Sequence, residues 1–206
     1  MSVMTAAPVL TVDPRAIDAR LIAQAAACLR DGGLVAFPTE TVYGLGARAD
    51  APDAMARLIS VKGRPPEKPF AILVADAAAA ATLTDTSAPA TQRLMQRYWP
   101  GPLTLVLPSR TGGTIGLRCP DHPVAQALIR AAGVPIAAPS ANRSGGAEPR
   151  TAAEVRASLS EAIDLILDGG QASEGRASTV VEVIPSGWRV LRDGAVPVEA
   201  IAGTLR

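Results

Sequence analysis

The chain has 206 residues, 48% of them hydrophobic, with 20 Lys plus Arg against 19 Asp plus Glu and a formal net charge of +1. That size and apolar content fit a single domain, 1–206. The near-neutral balance excludes a global field that would gather nucleic acid or anionic membrane. Two isolated cysteines, Cys28 and Cys119, exclude a disulfide framework and point to reduced thiols in a cytoplasmic protein.

Asp13 followed by Pro14 reads as a helix N-cap with proline in the first turn, and Ile17, Leu21, Ile22, Ala25 and Leu29 carry one apolar face to a stop at Gly32 and Gly33. The apolar run 34–37 reads as a buried strand. It delivers Pro38, Thr39, Glu40 and Thr41 at its end, where open α/β sheets place their ligands. Gly44 and Gly46 read as points of close backbone approach. Asp50 or Asp53 with Pro52 opens a helix through Met55, Leu58 and Ile59, ending near Gly63, and 70–74 reads as another buried strand.

An Ala-rich helix begins at Asp76, and a second over 87–98 is stopped by Trp99-Pro100-Gly101-Pro102. Strands over 103–107 and 114–118 are close enough for a hairpin, which makes the sheet mixed. Helix 123–132, strand 135–138, helix 152–159 and strand 163–167 restore the alternation. Strands 179–184 and 188–191 form a second hairpin around Pro185-Ser186-Gly187, and a helix over 197–204 closes the chain. The N-terminus lacks a basic segment ahead of an apolar one, and no apolar tract approaches spanning length, so neither secretion nor membrane insertion is expected.

For chemistry, there is no G-x-x-x-x-G-K-[ST] loop. Residues 44–49 satisfy G-x-G-x-x-A, but Pro52 starts the following helix too late for a dinucleotide site. Ser140 lacks a nucleophile elbow, and the sole histidine, His122, stands at a helix start, so a Ser/His/Asp triad is not expected. Lys62 and Arg64 offer a point charge and a planar donor fork suited to phosphate; cations finishing a helix are the alternative. Thr114 and Arg118, four apart on one strand, point to the same face. Glu40 is open between general base, Mg²⁺ ligand and salt-bridge partner for Lys62 or Arg64.

The segment PTETVYGLG at 38–46, followed by Lys62-Gly63-Arg64-Pro65, resembles the signature of the YrdC/Sua5 family, threonylcarbamoyl-AMP synthases of tRNA modification. The resemblance continues through Trp99 to Thr104, Arg118-Cys119-Pro120, residues 139–145 and Ser178-Thr179-Val180-Val181 to Arg192, and it implies a domain core over about residues 15–200. It implies a YrdC-like α/β fold: a twisted, mixed parallel and antiparallel sheet flanked by helices, with a large concave cavity. It further implies that L-threonine, bicarbonate or CO₂, and ATP with Mg²⁺ yield threonylcarbamoyl-AMP and pyrophosphate. The product would pass to a tRNA threonylcarbamoyl transferase complex acting on adenosine 37.

By that resemblance Lys62 and Arg64 are the catalytic cations, and Arg64, Lys68, Thr114, Ser140, Asn142, Glu148 and Arg192 bind ATP. Thr41, Arg118, the backbone at Ala138 and Ser178 hold threonine. No metal ligand is assigned in the protein itself. Some positions depart from the family pattern: Lys68 stands where some members have asparagine, Glu148 where a serine is usual, and Ala177 where a glutamate precedes the serine. Leu73 stands where some members place histidine. Because longer relatives carry an extra C-terminal domain, any lid here is expected from the chain's own loops. At most weak binding of tRNA or other RNA is expected of the enzyme, and the rival reading is a noncatalytic module that binds tRNA or double-stranded RNA, against which stand the net charge of +1 and only 2 Trp, 2 Tyr and 2 Phe.

Overall fold

A computed structural model describes residues 6–63, 69–159 and 161–206. Its described strands form one ten-stranded sheet. In chain order they are β1 (Val9–Thr11), β2 (Val35–Phe37), β3 (Gly44–Arg48), β4 (Ile72–Leu73), β5 (Leu103–Pro108), β6 (Thr114–Arg118), β7 (Ile136–Ala137), β8 (Leu165–Asp168), β9 (Thr179–Ile184) and β10 (Gly187–Arg192). The helices are α1 (Ala19–Arg30), α2 (Pro52–Lys62), α3 (Ala77–Leu83), α4 (Pro89–Tyr98), α5 (Pro123–Ala132), α6 (Ala152–Leu159) and α7 (Val198–Leu205). The strand order is β1-β8-β2-β3-β7-β4-β6-β5-β9-β10, and it mixes parallel pairs such as β2 with β8 and antiparallel ones such as β5 with β6. This is the expected mixed sheet, and the hairpins β5–β6 and β9–β10 stand where the turns predicted them.

Three expectations change. The first helix starts at Asp18, whose side chain accepts from the Arg20 amide at 2.8 Å, whereas Asp13 closes an isolated turn by accepting from the Arg15 amide. Both aspartates offer a cap, and the one nearer the buried stripe Ile22, Ala25, Ala26 and Leu29 nucleates the helix. A short strand, β1, which lacked any periodic signal, pairs in parallel with β8 at the sheet edge. And Gly44 and Gly46 lie in β3, paired antiparallel with Phe37 and Val35. A Cβ at Gly46 would come 2.9 Å from the Phe37 ring and 3.2 Å from Ile136. The close approach inferred from those glycines is therefore to a core aromatic.

Period-two alternation decides which side each residue serves. Val35 and Phe37 pack with α1 and α5 on one face, and Leu34 and Ala36 with α2 and α6 on the other. In the second half of the sheet, Leu103, Leu105, Leu107, Leu117, Val181 and Val183 pack with α4 and α7. Each fully buried leucine there stabilises the fold by about 1.5–3 kcal/mol. Their alternate neighbours, Thr104, Val106, Thr114, Gly116, Arg118, Val180 and Glu182, face the other way and floor a cavity. No described helix is long and apolar enough to cross a membrane.

Candidate active site

The loop 38–43 between β2 and β3 is tied down on every side. The Thr39 hydroxyl donates to the Val42 carbonyl at 2.6 Å and lies 2.9 Å from the Thr41 hydroxyl. The backbone carbonyls of Glu40 and Thr41 accept from the amides of Glu174 and Gly175, and the Tyr43 hydroxyl donates to the Gly170 carbonyl at 2.7 Å. Burial holds the Tyr43 phenol far above its ordinary pKa, so it stays a donor.

Arg118 leaves the end of β6 and meets this loop. Its Nη2 donates to the Thr41 hydroxyl at 2.8 Å and lies 2.8 Å from Glu40 Oε1, while Nε reaches the Gly101 carbonyl at 3.4 Å. Among the described residues the salt-bridge partner of Glu40 is thus Arg118 and not the expected Lys62; the alternative partner, Arg64, lies outside the described residues. Thr41 is fully buried behind the guanidinium, which itself lines the cavity.

Lys62, at the end of α2, is 4% exposed. Gly63 terminates the helix in the left-handed conformation with φ 57°. The Lys62 ammonium donates to the Ser140 carbonyl at 2.7 Å, to Asn142 Oδ1 at 3.1 Å and to the Asn142 carbonyl. Ser140 donates to Asn142 Oδ1 at 2.6 Å, and Asn142 Nδ2 to the Gly146 carbonyl at 2.7 Å. The 140–146 turn is therefore built around a buried cation. Ser140 spends its hydroxyl within that turn, and the His122 side chain caps α5 by accepting from the Val124 amide at 3.2 Å, as its position predicts. Burial lowers the His122 pKa from its ordinary value.

On the opposite wall, Arg192 donates to the Ser178 carbonyl at 2.8 and 3.1 Å and to its hydroxyl at 3.1 Å, and Ser178 Oγ lies 2.8 Å from the Thr104 hydroxyl. A register shift between Val190 and Arg192 turns Arg192 onto the face already used by Arg189 and Leu191. Glu148 lines the same cavity and accepts from the Ala177 amide at 3.2 Å, so its carboxylate neither faces away nor stands unheld.

The cavity these groups share measures about 760 Å³. It brings together Lys62, Thr114, Arg118, Ala138, Ser140, Asn142, Glu148, Ser178 and Arg192, nine of the expected site residues drawn from segments more than a hundred positions apart. Thr41 stands one layer behind. Arg64 and Lys68 fall outside the described residues, between Gly63 and Pro69; Lys62 and Pro69 on either side both line the cavity. Sequence reasoning missed Thr104, Val106 and the Glu182–Arg189 ion pair: period-two spacing from Ser178 places Glu182 on the cavity face, whereas Thr104, Val106 and Arg189 join it through pairing with Val180 and Glu182 across strands. A second hollow of about 430 Å³, beside Trp99 and Cys119, has no cation among its described lining residues. Among the described residues no group of three or more His, Cys, Asp or Glu is placed to hold a metal.

A protein-family model, Sua5/YciO/YrdC, described as telomere recombination, matches residues 27–194. The chain belongs to this family. A threonylcarbamoyl-AMP synthase of Bacillus subtilis is 44% identical over 194 residues, 89% of this chain and 56% of its own length. P. abyssi Sua5 complexed with L-threonine superposes with a TM-score of 0.90 at 38% identity, covering 96% of this chain and 61% of that one. E. coli YciO gives a TM-score of 0.85 at 27% identity over 95% and 99% of the two chains. The chain spans little more than half the length of that B. subtilis relative and about three-fifths of the P. abyssi structure.

Proposed function

We propose that this chain is an L-threonylcarbamoyladenylate synthase, joining L-threonine, bicarbonate or CO₂, and ATP into threonylcarbamoyl-AMP with release of pyrophosphate. The observation that carries the reading is the convergence of Lys62, Arg118 and Arg192 with Ser140, Asn142 and Ser178 on one cavity of about 760 Å³. That volume lies within the range of small-molecule sites, about 300–1,000 Å³. The family and the relatives named above support it.

In this reading Arg118, with Thr41 behind it and Ser178 and the Ala138 backbone beside it, receives the threonine carboxylate. The amine captures CO₂ as a carbamate, a carbamate oxygen attacks the α-phosphorus, and pyrophosphate leaves in line. Charge spreads over the phosphate oxygens, so fixed cations lower the barrier more than any single acid or base does. Arg192 and Lys62, with Arg64 and Lys68, are the cations assigned to that charge. Thr114, Ser140, Asn142 and Glu148 complete the nucleotide's surroundings. ATP enters as its Mg²⁺ complex, and Glu148 is the carboxylate in the cavity best disposed to meet the cation, since Glu182 is engaged by Arg189. We assign the protein to the cytoplasm, with its product consumed by a transferase complex that modifies tRNA.

The test is pyrophosphate release from ATP with L-threonine and bicarbonate each omitted in turn. Release that depends on both supports the synthase. Salt-sensitive retention of tRNA or double-stranded RNA with no pyrophosphate release refutes it in favour of an RNA-binding module.

A further inference from the structure

The Glu40 carboxylate is 9% exposed, yet neither of its oxygens has a hydrogen-bond partner among the described residues. Among the described residues its charged contact is Arg118 Nη2 at 2.8 Å, close enough for an ion pair but not aligned as a hydrogen bond. Burying a carboxylate with so few donors is costly, and a buried ion pair is often no more stable than apolar residues of the same volume. Fold stability alone therefore gives weak grounds for an acid at this position.

The arrangement around Arg118 supplies better grounds. Arg118 lines the cavity and Glu40 does not. Glu40 and Thr41 take Nη2, and Gly101 takes Nε, so the guanidinium is gripped along its inner edge while Nη1 has no hydrogen bond among the described residues. The Glu40 backbone carbonyl is itself fixed by the Glu174 amide at 2.8 Å and the Ser173 hydroxyl at 3.2 Å, so the backbone that carries the carboxylate is anchored. A planar donor fork held in this way presents its remaining edge to a carboxylate in one orientation.

We infer that Glu40 is the positioning residue for Arg118: it sets the guanidinium plane and balances its charge while the site awaits an amino-acid carboxylate. The inference deepens the functional reading above and rests on it. Glu40 touches no reacting atom; its effect runs through Arg118.

Steady-state kinetics on the whole chain separate this from a structural or chemical role. Glu40→Gln keeps the size and removes the charge. It is expected to raise KM for L-threonine at least tenfold, to leave KM for ATP within twofold, and to change kcat less than the threonine KM. Glu40→Asp, charged but shorter, is expected to recover part of that loss. In an Arg118→Ala background Glu40→Gln should add less than a further twofold. If Glu40→Gln does not fold, Glu40→Asp carries the test, with L-threonine binding followed by calorimetry against the wild type. A threonine KM within twofold of wild type, an equal loss in both backgrounds, or a fall in kcat with both KM values unchanged overturns the inference while the synthase reading stands. A wild type that neither binds threonine nor releases pyrophosphate overturns both.

Discussion

Replacing Lys62 by methionine tests whether this lysine is first a structural cation. The ammonium is 4% exposed and donates to Ser140 O, Asn142 O and Asn142 Oδ1. Methionine fills nearly the same volume, so the loss is electrostatic, not steric. Hydrogen bonds to a charged group contribute about 1.5–3 kcal/mol each, and acceptors left buried without a donor cost about 1–3 kcal/mol each. Asn142 Oδ1 keeps the Ser140 hydroxyl at 2.6 Å, which softens the loss at one of the three acceptors. Allowing for that, Lys62→Met is expected to destabilise the fold by about 3–5 kcal/mol. For a domain of this size that lowers Tm by roughly 6–20 °C. Thermal unfolding by circular dichroism measures it, and ATP KM should rise in parallel because the 140–146 turn loses its centre. A Tm within 2 °C of wild type would show that the ammonium is not holding the turn, and the structural half of its role would be refuted.

Gly46→Ala is expected to destabilise by about 1–3 kcal/mol through contact with Phe37 and Ile136, whereas Gly44→Ala, whose Cβ would sit 3.4 Å from the same ring, should cost less than about 1 kcal/mol; urea unfolding compares them. A Gly46→Ala variant of full stability but no activity would return the glycine to a ligand role. L-serine should support pyrophosphate release more weakly than L-threonine, since a single methyl contributes about 1–3 kcal/mol of discrimination, and equal kcat/KM for the two would refute the amino-acid assignment. His122 has its pKa lowered by burial, so the folded state favours the neutral ring. Its contribution to stability is complete above the ordinary value near 6.5 and declines as pH falls below it, where the unfolded chain binds the proton more readily. Tm measured from pH 7.5 down to 5 should therefore fall, and His122→Asn, which keeps a capping side chain, should flatten that part of the profile.

Much of the fold was legible because its elements are short and sharply punctuated. Proline at the start of α2 and α5, and glycine in the left-handed conformation after both, mark helices that the chain forms where the signals stand. What failed did so where two residues offered the same signal or none did. Asp13 and Asp18 are both competent caps, and only the packing of α1 against α5 decides between them. The strand β3 hides two glycines that local propensity counts against, because its stability comes from pairing with β2 and from the Phe37 ring filling the space over Gly46. At the site, residue types were legible but partners were not. That Glu40 meets Arg118, and that Lys62 meets carbonyls 78 and 80 positions away, are facts of tertiary closure on which spacing within a segment is silent.

A site rich in cations inside a chain of net charge +1 still has to keep those cations from repelling one another and from collapsing onto the wrong groups. Each described cation is gripped on its inner side: Lys62 by carbonyl and amide oxygens, Arg118 by Glu40 and Thr41, Arg192 by Ser178, and Arg189 by Glu182. The oxygens hold side chains that would otherwise sample many rotamers, and they offset part of each charge without cancelling the field across the cavity. Charge built up in a reaction there meets donors already oriented, so little reorganisation is left for the moment of bond breaking. The sheet makes this possible because its second half packs α4 and α7 on one face only, leaving the alternate residues of β5, β6, β9 and β10 to floor the cavity. The same period-two pattern that builds the core therefore also builds the site.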